Sequence, residues 1–329
     1  MKIAIVKLSA LGDIIHTMVA LQFIKNHYPD SQIDWIVDQQ FKSVLENNPH
    51  IRKIHTVSFK KAKKEKSILS ILKELKKIRA SGEYDLVVDA QGLIKSAIVT
   101  RMINATKYVG FGKKSIREPL ASVFYNQKVS IGYDKNTIDR NIKVICNPLN
   151  IKVDSEKIID KQPFIFCSNK NQLITKPYIV FVIGSTWESR NYPKEKFLEV
   201  ARKLNKKCIA IWGDSKEKEK AEWMEQQSSL IEASQELNID ELKQLINHSI
   251  LVIGNDTGPS HLAWGMNIPS IVLFGPTPVN RVYQTHINRV LKSSSKVNAF
   301  ALNKNDFSIK EIKVGDIVKI SEELMKVNL

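Results

Sequence analysis

The sequence predicts an α/β protein made of two doubly wound parallel sheets. Three observations carry that prediction. Short β-branched apolar runs alternate with helical patterns, the alternation occurs twice along the chain, and 329 residues, at ~150 per domain, suffice for two cores. In the first series, residues 3–6, 33–37 and 86–88 read as strands with polar or glycine-containing endings. Between the first two, Ile14, Ile15, Met18, Leu21 and Phe23/Ile24 recur at helical spacing, and Ile68, Ile71/Leu72, Leu75 and Ile78 line one face of a longer helix. The second series begins after Pro177, with strands over 179–183, 208–212, 251–253 and 271–274. Helices fall at 194–204, where Pro193 suits the first turn, and at 217–226 and 239–246. The polar stretch 161–176, which contains Pro163, reads as the neighbourhood of a linker. A last helical pattern, Val314, Ile317/Val318 and Leu324/Met325, closes the chain. No repeat or low-complexity tract interrupts it.

Composition narrows the function. With 43% hydrophobic and 26% charged residues, disorder is excluded for most of the length. No apolar run approaches the ~18 residues of a membrane span. The first residues reach Asp13 without a small-residue cleavage site, so a secretory signal is not expected. Cys146, Cys167 and Cys208 lie far apart with no metal spacing, which favours a reduced, cytoplasmic protein without disulfides or structural zinc. Fifty Lys and Arg against 34 acidic residues leave a formal charge of +16, and residues 52–79, with eleven basic and two acidic side chains, hold +9 of it. That stretch, densest at Lys60, Lys61, Lys63 and Lys64, is either a solvated helix face or a dock for an anionic partner. Nucleic acid is disfavoured, because no aromatics interleave with the lysines to stack on bases.

In open α/β sheets ligands bind beyond the carboxyl ends of the strands, against helix N-termini. After the first strand comes Ser9-Ala10-Leu11-Gly12-Asp13, which lacks the three-glycine dinucleotide fingerprint. There is no Walker A sequence either, although residues 112–115 (GKKS) faintly resemble its end. In the second half, the strand at 251–253 runs into 254–261 (GNDTGPSH) and then an apolar helix. There Gly258 permits close backbone approach, and the amides from Thr257 to His261 would cradle a phosphate; the alternative is an ordinary turn capped by Asp256 or Thr257. Ser185, Thr186 and Arg190, also following a strand, add two hydroxyls and a guanidinium for the same diphosphate. No Asp-x-Asp pair occurs, so a carboxylate-held metal is not evident.

At these residues the chain resembles the bacterial lipopolysaccharide heptosyltransferases. The resemblance rests on 7–17 (KLSALGDIIHT), 256–262 (DTGPSHL) and 274–277 (FGPT). The stretches 89–97 (DAQGLIKSA) and 117–125 (REPLASVFY) are similar to the type I branch in particular. The match is collinear over nearly the whole chain. It implies a GT-B glycosyltransferase of family 9, with two Rossmann-like domains facing across a cleft: an acceptor-binding domain over 1–165, an ADP-heptose-binding domain over 166–310, and a C-terminal helix, 311–329, returning to the first domain. The implied reaction is inverting transfer of L-glycero-D-manno-heptose from ADP-heptose to the inner Kdo of Kdo-lipid A. No metal or other cofactor is implied. The setting would be the cytoplasmic face of the inner membrane, with peripheral contact to its anionic surface, no nucleic acid, and a monomeric enzyme.

Residue by residue, the resemblance makes Asp13 the general base. A sugar hydroxyl needs its proton removed as it attacks, although a first-turn aspartate can equally serve the helix dipole. Arg190 stands where the family usually has a lysine and would offset charge on the departing ADP. Ser9, Ser185, Thr186, Thr257, Gly258 and His261 would surround the donor, and Asp256 would hold heptose hydroxyls. Glu217 would take the ribose hydroxyls, against a local reading of Lys216–Lys220 as a solvated helix face, and Leu237 would flank adenine or else be core. Lys60, Lys61, Lys63, Lys64 and Arg117 would bind the anionic acceptor. The competing readings are a sister heptosyltransferase using an already heptosylated acceptor, a basic RNA-binding protein, which leaves Asp13 and the 256–261 turn unexplained, and an NAD-dependent enzyme, whose glycine fingerprint is missing.

Overall fold

The computed structural model describes residues 1–59, 68–168 and 177–326. The chain divides into two compact units, Met1–Phe166 and Cys167–Leu329, so the break lies one residue beyond the boundary expected from sequence.

The first unit contains β1 (Lys2–Val6), β2 (Gln32–Asp38), β3 (Lys53–Val57), β4 (Glu83–Asp89), β5 (Asn104–Phe111) and β6 (Gln127–Val129), paired in the order β3-β2-β1-β4-β5-β6. Every pairing is parallel, and Ile3 of the central strand faces Ile33 on one side and Leu86 on the other. Its helices are α1 (Leu11–Met18), α2 (Ala20–His27), α3 (Lys42–Leu45), α4 (Ile68–Arg79), α5 (Ile94–Met102), α6 (Thr137–Cys146) and α7 (Ser155–Ile159). Residues 3–6 are all fully buried, as a central parallel strand covered on both faces requires. One core joins Ala4, Val6, Ile36, Val57 and Val87 to Ile78 of α4 and Val99 of α5. Helices α1 and α2 meet α6 on their own side, and buried Trp35 donates its indole N–H to the Lys7 carbonyl at 3.2 Å.

The second unit repeats the winding. Strands β7 (Ile179–Val182), β8 (Cys208–Ile211), β9 (Ile231–Ala233), β10 (Leu251–Asn255), β11 (Ser270–Phe274) and β12 (Asn288–Lys292) pair in the order β12-β11-β10-β7-β8-β9. They are flanked by α8 (Lys194–Leu204), α9 (Ser215–Gln227), α10 (Ile239–Asn247), α11 (Gly258–Met266) and α12 (Val314–Lys326). Phe197 of α8 anchors this core, with its ring centroid 5.1 Å from Phe181 and 5.3 Å from Tyr192.

Strands β3, β5, β6, β9 and β12 do not announce themselves as apolar runs. Four of them are edges and β5 is next to one, so positions such as Lys53, Lys107 and Glu232 stay exposed and break the pattern. The closing helix packs into the second unit's own core. Val314, Ile317 and Leu324 of α12 lie in the second core with Phe197 and Leu198, and the Tyr192 hydroxyl donates to the Ile312 carbonyl at 2.9 Å. The apolar stripe of α12 is therefore spent on α8 and the second sheet. No described helix is long and apolar enough to cross a membrane.

Candidate active site

Each sheet starts at a central strand, winds outward, and resumes on the other side. Loops leaving β1 and β4 therefore diverge in the first unit, as do those leaving β7 and β10 in the second. Such switch points open a crevice at the carboxyl edge. In the second unit the loops after β10, β7, β8 and β9 carry, in spatial order, Asp256–His261, Ser185–Arg190, Glu217 and Leu237.

Asp256 is the hub. Its amide continues the ladder to the Leu273 carbonyl at 3.2 Å, which turns the side chain inward. Arg190 Nη2 reaches Oδ2 at 3.0 Å, the Thr277 hydroxyl donates to the same oxygen at 2.8 Å, and His261 Nε2 lies 3.2 Å from Oδ1. Burial alone would raise the pKa of this carboxyl; His261 and the Arg190 guanidinium outweigh it and hold it well below the usual carboxylate range. Burial lowers the pKa of Arg190, and Asp256 opposes that shift. The guanidinium also lies 5.6 Å over the Trp187 ring. Arg190 Nε and the hydroxyls of Ser185 and Ser189 are buried without a hydrogen-bond partner, three polar groups gathered in one short loop. Such groups are expensive to leave unpaired, which marks the loop as a place where a polar ligand completes the bonding.

Beside it, Thr257 occupies the N-cap of α11, but its side chain makes no capping bond. The Ser260 hydroxyl turns back to the Asn255 carbonyl at 2.6 Å. The turn is thus not an ordinary side-chain-capped one, and the helix N-terminus keeps its field for an anion. Buried Asn255 straps the two loops together. Its amide donates to the Ile183 carbonyl at 2.9 Å, and its oxygen accepts from the Tyr192 N–H at 2.9 Å.

Glu217 does not lie on a solvated helix face. The carboxylate turns back to accept from the Gly213 N–H at 2.7 Å and rests against Gly184, where a Cβ would fall 1.8 Å from Oε1. Asp214, the N-cap of α9, fixes that first turn by accepting from the Glu217 N–H at 2.9 Å. Burial raises the pKa of Glu217, and the Gly213 bond partly offsets it. Leu237 is half-buried in the loop after β9 rather than in the core, and Thr186 is exposed.

In the first unit, half-exposed Asp13 sits in the first turn of α1 and accepts from the Ala10 N–H at 3.3 Å. Lys7, buried at the end of β1, donates to the Ala90 carbonyl at 2.8 Å across the switch point. Burial lowers its pKa, while the charges of Asp13 and Asp89 oppose that. Gln91 accepts from the Leu8 and Ser9 amides at 3.1 and 3.2 Å, so half-buried Ser9 is held against the loop leaving β4. Asp89, fully buried, takes the Tyr125 hydroxyl at 2.8 Å and the Gln91 and Gly92 amides at 2.8 and 3.0 Å. Arg117 is exposed in the connection after β5. Lys60, Lys61, Lys63 and Lys64 lie outside the described residues.

The structure thus joins Arg190, Asp256 and His261 directly, and Glu217 with Gly184. Lys7, Asp89, Gln91, Asn255, Thr277 and Tyr125 went unassigned by sequence reasoning. All six lie within stretches that the sequence analysis singled out, but none was given a role of its own there. Among the described residues, no three His, Cys, Asp or Glu side chains gather as metal ligands.

Known proteins similar to this chain agree with that geometry. Residues 70–306 match the model of glycosyltransferase family 9 (heptosyltransferase). The chain is 38% identical to lipopolysaccharide heptosyltransferase 1 of Campylobacter coli over 344 aligned positions, covering 98% of this chain and 99% of that one. Its fold is similar to Escherichia coli heptosyltransferase WaaC solved with ADP-2-deoxy-2-fluoro heptose, at a TM-score of 0.80 and 24% identity over 98% of this chain and 99% of that one. It is similar also to Escherichia coli ADP-heptose lps heptosyltransferase II, at 0.74 and 17% over 100% and 99%. The fold is GT-B.

Proposed function

The chain belongs to glycosyltransferase family 9, the heptosyltransferases, and from that membership we propose that it transfers heptose from ADP-heptose to the inner Kdo of Kdo-lipid A in lipopolysaccharide core synthesis. The observation that carries the donor half is the switch-point cluster of the second unit. There a largely buried, charge-paired Arg190 and two buried hydroxyls with no partner sit beside the N-terminus of α11, which no side chain caps. Such an arrangement suits a diphosphate. The acceptor half rests on the type I resemblance of residues 89–97 and 117–125, and on a relative of that type at 38% identity.

In this reading Asp256 holds Arg190 in place, and the guanidinium meets the diphosphate, where negative charge grows as the anomeric carbon–oxygen bond breaks. Ser185, Thr186, Thr257 and Gly258 line the phosphates, Glu217 accepts from the ribose hydroxyls, and Leu237 flanks the adenine. His261 serves through Asp256. Asp13 takes the proton from the attacking Kdo hydroxyl, whose oxygen bonds the anomeric carbon on the face opposite ADP, so the centre inverts. Its place just beyond β1 at the switch point supports that role, and its charge opposes the lowering that burial imposes on the neighbouring Lys7 ammonium. Lys60, Lys61, Lys63, Lys64 and Arg117 would meet the acceptor's carboxylates and phosphates. No metal is required in this scheme.

The decisive experiment incubates the protein with ADP-heptose and Kdo-lipid A, and separately with an already heptosylated acceptor, and weighs the products. A heptose added only to the second acceptor refutes the type I reading. Asp13→Asn should leave ADP binding nearly intact and lower kcat roughly 10²–10⁴-fold. A near wild-type kcat excludes Asp13 as the base.

A further inference from the structure

Among the described residues of the first unit, six large apolar side chains are exposed, and four of them, Ile94, Ile98, Leu120 and Val123, belong to two elements in contact, α5 and the 3₁₀ segment Pro119–Phe124. Ile94 and Ile98 share one face of α5 by their spacing of four, and Leu120 and Val123 share one stripe of a helix that repeats every three residues. The last two are 68% and 70% exposed. The elements are tied where the Ile94 N–H donates to Glu118 Oε2 at 2.7 Å. That bond occupies the single acidic side chain between residues 92 and 130, a stretch that carries seven cations: Lys95, Arg101, Lys107, Lys113, Lys114, Arg117 and Lys128. Lys95, Lys113, Lys114 and Arg117 are exposed. Lys95 Nζ also lies 5.8 Å over the ring of Phe59, which precedes the lysine-rich stretch in sequence.

Aliphatic side chains standing out among cations call for a particular occupant. Protein interfaces deplete charge, and lysine above all, at their centres. A second copy meeting this face would set like charges against each other. Single-stranded nucleic acid asks for aromatics, and the four side chains are aliphatic. An anionic bilayer fits both features, since the side chains enter the headgroup layer while the lysines meet lipid phosphates. We propose that α5 and Pro119–Phe124 form a docking face for an anionic lipid surface. The proposal deepens the proposed function, and rests on it for the lipid-borne acceptor.

The full-length protein is sedimented with vesicles of phosphatidylcholine, with and without phosphatidylglycerol, and compared with Leu120→Ser/Val123→Ser and with Lys113→Glu/Lys114→Glu. Wild type should bind only the anionic vesicles, and each double variant should bind them about tenfold more weakly or worse. Turnover of a short, soluble Kdo acceptor should be unchanged, while turnover of acceptor embedded in vesicles falls. Both apolar positions are more than two-thirds exposed, so the fold does not depend on them. Wild-type vesicle binding by the serine variant, equal binding to both vesicle types, or a wild-type dimer that the serine variant dissociates would each overturn the proposal. Loss of transfer to every acceptor with vesicle binding intact would instead overturn the proposed function and leave the docking face standing.

Discussion

Replacing Gly184 by alanine tests whether Glu217 is held where the donor needs it. The added methyl carbon would fall 1.8 Å from Oε1, 1.9 Å from Cδ and 2.3 Å from Oε2 of Glu217. These atoms end a flexible side chain, so the carboxylate must swing away and give up the Gly213 N–H at 2.7 Å. The swing rehydrates a half-buried carboxylate, and Gly→Ala contributes ~0.4–1 kcal/mol through the unfolded chain, so the net loss of stability should stay within ~1 kcal/mol. The loss to the donor is larger. Hydrogen bonds to a charged group contribute ~1.5–3 kcal/mol, so ADP should bind roughly 10- to 150-fold more weakly. Calorimetric titration of ADP into wild type, Gly184→Ala, Glu217→Ala and the double variant reads this directly. The double variant should be no worse than Glu217→Ala alone, because the methyl acts only by displacing that carboxylate. Multiplying losses, or normal ADP binding by Gly184→Ala, would refute the reasoning.

Asp256→Asn leaves Arg190 buried without its counter-charge and should lower stability by about 3–5 kcal/mol in urea unfolding. The pKa of this carboxyl is lowered on folding. Its contribution is therefore complete above the unfolded value near ~4 and is lost as pH falls through the lower folded value, so the gap between wild type and variant should narrow only in acid. Lys161 behaves oppositely. Burial lowers its ammonium to about 7, so the folded state binds fewer protons and stability rises as pH climbs from about 7 towards the unfolded value. Lys161→Met should stabilise at neutral pH, on the order of 1–4 kcal/mol, with the gain fading by pH ~10. Lys60→Ala/Lys61→Ala should raise the acceptor KM and flatten its salt dependence with the donor KM unchanged, since exposed pairs contribute ~0.2–1 kcal/mol each. A normal acceptor KM at low salt would make that stretch a solvated face.

What the sequence makes legible follows from burial. Residues 3–6 and 251–253 are continuous apolar runs because their strands are covered on both faces, and from such runs the doubly wound class can be read. Strand β5 escapes because its first half, through Lys107, is half-exposed near the sheet edge. Asp256 and Arg190 could each be singled out as residues following strands, but not as partners. Sixty-six positions separate them, and only the adjacency of β7 and β10 joins them. Glu217 sits in an alternating charge run that conceals its inward turn, because the cause is the Gly213 N–H in its own connection and the bare Gly184 beyond the neighbouring strand β7. The amphipathic stripe of α12 is plain, yet such a stripe fits any apolar sheet face. Its choice is made by Phe197, Leu198 and the Tyr192 hydroxyl on another element.

That choice bears on inheritance. With α12 kept by the second sheet, a genetic crossover between codons 166 and 167 severs no strand of either sheet and strips neither core of a helix. Each half can then accumulate substitutions, or be exchanged for a homologous half, without demanding a matching repair in the other's interior. Two cassettes, each with its own apolar interior, are free to diverge at different rates.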